Sequence, residues 1–203
     1  MSAQPKYKYS LEEYLELDRQ SDARLEYWDG EIFEMSGVQE EHAEIETNLI
    51  AYLKPQLSPK GCRIFPANIR IKVPSMPPYR YGDTSALCGI AQFEKMGGVD
   101  VLLNPALIIE ILLDSTEGYD RGDKFSHYKS IPGFCEYLLI AQHRPHVSQF
   151  VRQADDSWNQ REYNDLNDVV KLVSVTCEIS LREIYAQVTF NESKPLSHLR
   201  PRE

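Results

Sequence analysis

The chain has 203 residues, of which 42% are hydrophobic, and a formal net charge of -9 at pH 7. This length and composition suit one domain with its own core, which we expect to span residues 1–190, followed by a disordered polar tail at 191–203. The acidic balance argues against a protein that coats nucleic acid, because such binding depends on Lys and Arg neutralising phosphates. The net charge does not exclude an enzyme whose cleft is locally basic or holds a metal ion.

The sequence predicts neither a membrane span nor a secretory signal. Its longest apolar run, Leu107 to Leu113, is broken by Glu110 and is much shorter than a bilayer requires. We therefore expect a cytoplasmic protein whose cysteines are reduced core residues, because they are widely separated and lie in apolar, strand-like segments. No CxxC pair is present to hold zinc. The four cysteines are Cys62, Cys88, Cys135 and Cys177.

The first elements in chain order are a helix, a hairpin and a second helix. A capping-box pattern at Ser10 begins a short helix. The alternating segment Arg24–Met35 predicts a β-hairpin, because Asp29-Gly30 at its centre is a type I′ turn signal. Apolar residues at helical spacing then predict a helix over Glu41–Leu57.

The next region predicts strands around a proline-rich loop. Arg63–Val73 alternates as one half-buried strand does, and Pro74–Tyr81 reads as a loop. Asp83 follows directly, at the start of the apolar segment Ser85–Ile90.

The second half predicts two strands around a helix and then an antiparallel meander. The strands are Ala106–Leu113 and Glu136–Ala141, with the helix at Thr116–Ile131 between them. The meander strands are Val147–Arg152, Trp158–Tyr163 and Val169–Val175. Together these elements predict an α/β (α+β) domain with a mixed sheet flanked by helices.

Two carboxylates are the main chemical signal. Glu110 lies inside an apolar strand, where an unpaired charge is costly, so it must be protonated, ion-paired or bound to a metal. Asp83 begins a different apolar segment, and adjacent strands would bring the two acids together. Such a pair suits Mg²⁺ or Mn²⁺, although a paired strand Glu and a capping Asp are the alternatives.

The helix after Glu110 carries the candidate cation. Arg121, Lys124 and Tyr128 are spaced to share one helical face. Lys124 could orient or deprotonate a water, or offset charge on a phosphate. The alternative is a solvated helix in which Asp120 pairs with Lys124.

His42 lies on the apolar face of its helix and is either a satisfied core residue or an accessory group near the metal. The glycines lack the strand-loop-helix context of a P-loop or a Rossmann motif, and no nucleophile elbow is present. Nucleotide hydrolysis by a P-loop is therefore not expected.

Several motifs resemble those of the Uma-type restriction-endonuclease family, within the PD-(D/E)XK nuclease superfamily. The resemblance runs nearly the whole length of the chain. The motifs are Leu25-Glu26-Tyr27-Trp28-Asp29-Gly30-Glu31-Ile32, Glu41-His42-Ala43, Tyr81-Gly82-Asp83, Asn104 to Leu112, Ser115-Thr116, Tyr119 to Phe125, Tyr128, Ile131-Pro132 and Glu136-Tyr137-Leu138.

The resemblance implies a restriction-endonuclease-like fold and metal-dependent hydrolysis of phosphodiester bonds, with Asp83 and Glu110 as metal ligands. The superfamily commonly has a lysine two positions after the second acid; Leu112 stands there, so the resemblance assigns that role to Lys124. Two departures are Gly82, where the family commonly has proline and which we expect to loosen the loop, and Leu113-Asp114, which replaces a usual Ser-Pro.

We therefore predict a Mg²⁺- or Mn²⁺-dependent DNA endonuclease in which Asp83, Glu110 and Lys124 act together. The alternative is a non-catalytic nucleic-acid-binding or interaction module that keeps the nuclease fold. A homodimer is a further expectation, because cutting two strands needs two sites.

Overall fold

The structure is a computed structural model. It describes residues 7–21, 23–28, 30–35, 37, 39–75, 79–96, 98–113 and 116–190. The predicted tail at 191–203 lies outside the described residues.

The chain forms five short to medium helices and fourteen strands within the described residues. The helices are α1 (Leu11–Gln20), α2 (Glu40–Leu57), α3 (Glu117–Tyr119), α4 (Phe125–Tyr128) and α5 (Leu181–Ile184). A 3-10 turn (Ser58–Lys60) follows α2, and a π-helical turn (Asp120–Lys124) joins α3 to α4. The strands are β1 (Arg24–Trp28), β2 (Glu31–Met35), β3 (Cys62–Pro66), β4 (Arg70–Lys72), β5 (Tyr79–Tyr81), β6 (Thr84–Cys88), β7 (Phe93–Met96), β8 (Val99–Leu102), β9 (Leu107–Leu112), β10 (Glu136–Ala141), β11 (Val147–Arg152), β12 (Trp158–Tyr163), β13 (Val169–Leu172) and β14 (Cys177–Ser180).

The main sheet has six strands in the order β12-β11-β10-β9-β6-β3. β9 and β10 run parallel, and the other neighbouring pairs in this sheet are antiparallel. A second sheet has the order β5-β4-β8-β7, and β1-β2 and β13-β14 form two-stranded sheets. The predicted mixed sheet with flanking helices is confirmed.

β9 is buried along its whole length and faces two different hydrophobic clusters. Ile109 and Ile111 belong to the cluster that includes the buried side of α2. Ile108 and Leu112 belong to the other cluster, with Tyr128 of α4. Because strand side chains alternate between faces, Glu110 shares the face of Ile108 and Leu112 and is directed towards α4.

The hairpin β1-β2 packs against a third hydrophobic cluster. Leu25 and Tyr27 pack there with the buried rings of Tyr14 and Tyr79. The predicted first helix is confirmed, with the capping box of Ser10 in place. The predicted hairpin is confirmed too, although Asp29 of its turn lies outside the described residues.

The segment Arg63–Val73 is two strands instead of the single strand predicted. β3 belongs to the six-stranded sheet and β4 to the four-stranded sheet, with a turn at 67–69 between them. Pro66 has no N–H to continue a ladder, and its carbonyl accepts the N–H of Ile69 at 3.2 Å. The prediction was wrong at this turn.

Other boundaries also differ from the sequence expectations. Part of the predicted loop Pro74–Tyr81 is β5. β7 and β8 were not predicted. The third meander strand, β13, pairs with β14 and leaves β11 and β12 as the antiparallel pair.

The cysteines do not all have the predicted state. Cys62 and Cys88 lie directly opposite each other on β3 and β6, and this register allows the disulfide that joins them. Cys135 and Cys177 are free. The prediction of four reduced cysteines is therefore wrong for the first pair. None of the described helices is long and apolar enough to cross a membrane.

Candidate active site

The central sheet brings Asp83 and Glu110 into one cavity. The β6–β9 pairing places Thr84 opposite Ile109, so Asp83 enters the sheet beside Glu110. Oδ2 of Asp83 accepts the backbone N–H of Ile111 at 2.7 Å, which fixes the side chain against β9. Both carboxylates line a cavity of about 470 Å³.

Glu110 is paired with a lysine and a tyrosine from the helix that follows it. Nζ of Lys124 lies 2.9 Å from Oε1 of Glu110. The hydroxyl of Tyr128 donates to the same Oε1 at 2.9 Å. Glu110 is only 2% exposed and Lys124 only 4%, so this is an ion pair inside the protein.

Asp120 completes the charged cluster. Its Oδ1 lies 3.4 Å from Nζ of Lys124, and its Oδ2 accepts the hydroxyl of Thr116 at 2.8 Å. The hydroxyl of Tyr137 donates to the Asp120 carbonyl at 3.1 Å. The π-helical turn carries both Asp120 and Lys124, and such turns are frequent at functional sites.

Glu110 and Asp83 have opposite pKa shifts. Burial is the strongest influence on Glu110 and raises its pKa well above the ordinary value, despite the opposing charge of Lys124. Burial also raises the pKa of Asp83, but contacts with His42, the charge of Lys124 and the Ile111 N–H together lower it below the ordinary value.

The pKa of Lys124 is raised well above its ordinary value. Burial, the strongest influence, lowers it, but the neighbouring Glu110, Glu26 and Asp120 together raise it by more. Lys124 is therefore an ammonium ion that contacts the carboxylates of Glu110 and Asp120.

His42 lies at the edge of the same cluster. Its Nε2 is 3.3 Å from Oδ2 of Asp83, and the side chain is buried in α2. Its Nδ1 is also buried and has no hydrogen-bond partner in the described part of the chain. His42 is thus positioned to orient Asp83 or to exchange a proton beside it.

The donor set fits a divalent cation held by two carboxylates. Among the residues that the structure describes, no group of three or more His, Cys, Asp or Glu side chains could hold a metal ion. Mg²⁺ commonly needs only one or two protein carboxylates, because water and substrate phosphates complete its coordination. Within the described part of the chain, Asp83 accepts hydrogen bonds at Oδ2 and Glu110 accepts them at Oε1. Each carboxylate thus keeps a second oxygen for a ligand, and a divalent cation would offset the excess of acids over Lys124.

The hairpin forms the opposite wall of the cavity. Arg24, Glu26 and Trp28 alternate along β1 and all line it. Oε1 of the buried Glu26 accepts the N–H of Tyr81 at 2.8 Å, and Nη1 of Arg80 donates to the Tyr27 carbonyl at 2.7 Å. The hairpin is thereby joined to β5, immediately before Asp83.

Gly82 is closely packed against β9, which differs from the loosened loop expected at this position. A Cβ there would lie 2.8 Å from Cγ2 of Ile108 and 3.6 Å from Oε1 of Glu110. A proline would therefore displace Ile108 beside the cluster. Asp114, the other departure noted in the sequence, lies outside the described residues.

The structure brings together Asp83, Glu110, Lys124, Tyr128 and His42, all named from the sequence. Their chemical roles stay predictions. Arg121 does not join them; it bonds through Nε to Glu117 at 2.7 Å and through Nη1 to Ser148 at 3.1 Å.

Three acids that line the cavity, Glu26, Glu34 and Asp120, were not among the predicted site residues. Asp120 had a signal, because its spacing from Lys124 predicts an ion pair, but that pair was considered only as the alternative in which the helix is solvated. Glu26 belongs to one of the motifs of the resemblance, but its position alone gave no signal, because a polar residue alternating along a hairpin ordinarily faces solvent.

Comparisons with known proteins agree on one family. The family model Uma2, described as "Putative restriction endonuclease", matches residues 11–183. "Uncharacterized protein slr1290" of Synechocystis is 28% identical over 183 residues, covering 90% of this chain and 94% of that protein. "Uncharacterized protein sll1609" of the same organism is 30% identical over 146 residues, covering 72% of this chain and 82% of that protein.

A solved structure shares the fold. It is described as a putative nuclease belonging to DUF820 from Anabaena variabilis, and it superposes with a TM-score of 0.67 at 18% sequence identity. The match covers 88% of this chain and 98% of the other. The predicted restriction-endonuclease-like fold is confirmed.

Proposed function

Because this chain belongs to the Uma2 family of putative restriction endonucleases, we propose that it is a divalent-metal-dependent endonuclease that hydrolyses DNA phosphodiester bonds. The observation that carries the proposal is the meeting of Asp83, Glu110 and Lys124 in one cavity, with a buried Lys124–Glu110 contact of 2.9 Å. The two acids could hold a divalent cation on rigid elements. That cation and Lys124 would then offset the negative charge that develops at a phosphate during hydrolysis.

Each residue of the proposed site has a role that follows from its surroundings. Asp83 and Glu110 would hold Mg²⁺ or Mn²⁺ through the oxygens that their protein partners leave available. The metal ion supplies an activated water and polarises a phosphoryl oxygen when it is bound. Lys124 has N–H donors that can orient the attacking water or offset charge on the phosphate. Tyr128 and His42 position the two carboxylates.

The test is cleavage of plasmid and linear DNA by the purified protein in Mg²⁺ or Mn²⁺. Asp83→Asn should abolish metal-dependent cutting, because it removes a charged ligand without changing the size of the side chain. Asp100→Asn is the matched control, because Asp100 is exposed on β8 and does not line the cavity. Equal cutting by the wild type and Asp83→Asn would reject the site.

A non-catalytic nucleic-acid-binding or interaction module is the second candidate. The observation in its favour is that Lys124 neutralises much of the charge of Glu110 and Asp120 without a metal ion. Calorimetric titration with Mn²⁺ separates the two candidates. If the protein is an enzyme, the wild type should bind Mn²⁺ and the Glu110→Gln variant should not. No Mn²⁺ binding by the wild-type protein would favour the module.

The predicted homodimer is part of the proposal. Two copies would supply the two sites that cutting of both strands requires. Light scattering of the purified protein, with and without duplex DNA, tests this point.

A further inference from the structure

One end of the cavity is aromatic, and the proposed function leaves this end without a role. Trp28 and Tyr119 both line the cavity and are half-buried. Their ring centroids are 6.4 Å apart, with an interplanar angle of 64°. These two side chains belong to different elements, the hairpin and α3, so the fold brings them together at the cavity.

Buried neighbours fix the orientation of Trp28. The ring of His127 lies 4.2 Å from it, centroid to centroid. The guanidinium of the fully buried Arg80 lies 5.6 Å from the Trp28 ring centroid. An aromatic side chain held in this way loses little conformational freedom when a ligand binds, so its contact area is available for recognition.

A second, smaller groove of about 230 Å³ adjoins the cavity. The groove and the cavity share Arg24, His42, Ala67 and Asp83. The two spaces therefore adjoin at His42 and Asp83. Arg24 lies at the junction and is the cation that a backbone phosphate would meet there.

The size and the charge of the cavity indicate what it can bind. A volume of about 470 Å³ falls among sites that enclose small organic ligands. Acids outnumber cations in its lining, so electrostatic attraction of a polyanion contributes little. Stacking of a base on aromatic rings supplies affinity independently of charge, but the bases of a duplex are already stacked within it.

We propose that the cavity binds one unpaired nucleotide, with its base against Trp28 and Tyr119 and its phosphate beside the divalent metal ion that Asp83 and Glu110 would hold. The substrate class is then single-stranded DNA or DNA with a locally unpaired base. The assignment of the phosphate rests on the proposed nuclease function. The assignment of the base rests on the aromatic wall formed by Trp28 and Tyr119 alone.

The first test uses the fluorescence of Trp28. The chain has two tryptophans, and Trp158 packs among Phe125 and Phe134 and does not line the cavity. In Trp158→Phe, emission therefore reports on Trp28. With Mg²⁺ present, 2′-deoxyadenosine 5′-monophosphate should quench this emission, whereas 2-deoxyribose 5-phosphate, which has no base, should not. Neither probe contains an internucleotide bond, so neither can be cut.

The second test changes the aromatic wall. In Trp28→Leu, calorimetry should show a loss of at least roughly five-fold in affinity for 2′-deoxyadenosine 5′-monophosphate, from the usual strength of base stacking. Trp28→Phe keeps an aromatic face and should restore most of the affinity. Circular dichroism checks that both variants fold, and the quenching test does not need either variant.

The outcomes separate this inference from the nuclease proposal. Base-dependent quenching supports the nucleotide site even if no DNA is cut, and in that case only the nuclease proposal fails. Quenching by neither probe, or equally by both, overturns the nucleotide site even if Asp83-dependent cutting is observed. If both proposals hold, initial cleavage rates should be higher for single-stranded DNA than for a duplex of the same sequence.

Discussion

Glu110 and Glu136 lie on neighbouring parallel strands, β9 and β10, and both are buried, but their surroundings differ. Oε1 of Glu136 accepts the amide of Gln149 at 2.5 Å and the N–H of Val173 at 3.3 Å. Its Oε2 accepts the N–H and the hydroxyl of Ser174 at 2.9 and 2.5 Å. Both oxygens of Glu136 are thus occupied by neutral donors of the fold.

Glu110 has a different set of partners. A charged ammonium and a tyrosine hydroxyl reach its Oε1, and its carboxylate borders the cavity. Burial of a glutamate is therefore not sufficient to mark a site. The partners distinguish the two: neutral donors that saturate both oxygens indicate a structural role, whereas a buried cation and an open side towards a cavity indicate chemistry.

The largest effect is expected from removing the cation beside Glu110. Lys124→Met leaves Glu110 and Asp120 buried without their cation, so we expect a loss of about 3–5 kcal/mol in the free energy of unfolding. Urea unfolding measures it. Lys171→Met is the control, because the Lys171 side chain is exposed on β13. A loss for Lys124→Met as small as that of the control would show that the pair is not a buried ion pair.

The next prediction compares the two glutamates in activity. Glu110→Gln should reduce metal-dependent DNA cleavage by more than about 100-fold, because loss of a ligand should exceed the effect of losing a ligand's hydrogen-bonding partner. Glu136→Gln, the matched change on the adjacent strand, should keep the rate within about two-fold, because Glu136 does not border the cavity. Similar losses in both variants would mean that the Glu110 effect is structural.

Much of the candidate site around Glu110 could be predicted from the sequence. A carboxylate inside an apolar strand, an acid at the start of another strand and a lysine soon afterwards are local patterns. They identified Glu110, Asp83 and Lys124 before any contact was known. Asp83 and Glu110 meet because β6 and β9 are neighbours, and Lys124 joins them because the turn that carries it lies on the Glu110 face of β9.

The remaining features depend on contacts that no local pattern encodes. The alternation along β1 predicts that Glu26 lies on the solvent-facing side of a hairpin. Only the packing of the hairpin against the rest of the fold directs this side, with Arg24 and Trp28, towards the cavity. The disulfide requires the register that places Cys62 opposite Cys88. β7 and β8 have only four residues each, with several exposed positions, so their hydrophobic pattern is weak.

A smaller effect is expected at the structural glutamate. Glu136→Gln replaces one acceptor oxygen by an amide that faces a donor, so we expect a loss of about 2 kcal/mol in the free energy of unfolding. Urea unfolding is the measurement, and Glu178→Gln is the control, because Glu178 is exposed on β14. An unchanged stability would mean that the hydrogen bonds from Gln149 and Ser174 contribute little, and the contrast with Glu110 would weaken.

The smallest effect is expected from the tyrosine that shares Oε1 of Glu110 with the lysine. Tyr128→Phe keeps the fully buried ring in its cluster and removes one hydrogen bond, so we expect a loss of about 1 kcal/mol in stability. Thermal and urea unfolding measure it, with Tyr52→Phe as the control at a partly exposed position. Because Lys124 still contacts Oε1, cleavage should fall less than in Glu110→Gln. A loss of activity as large as in Glu110→Gln would instead show that Tyr128, and not only the ion pair, fixes the position of the carboxylate.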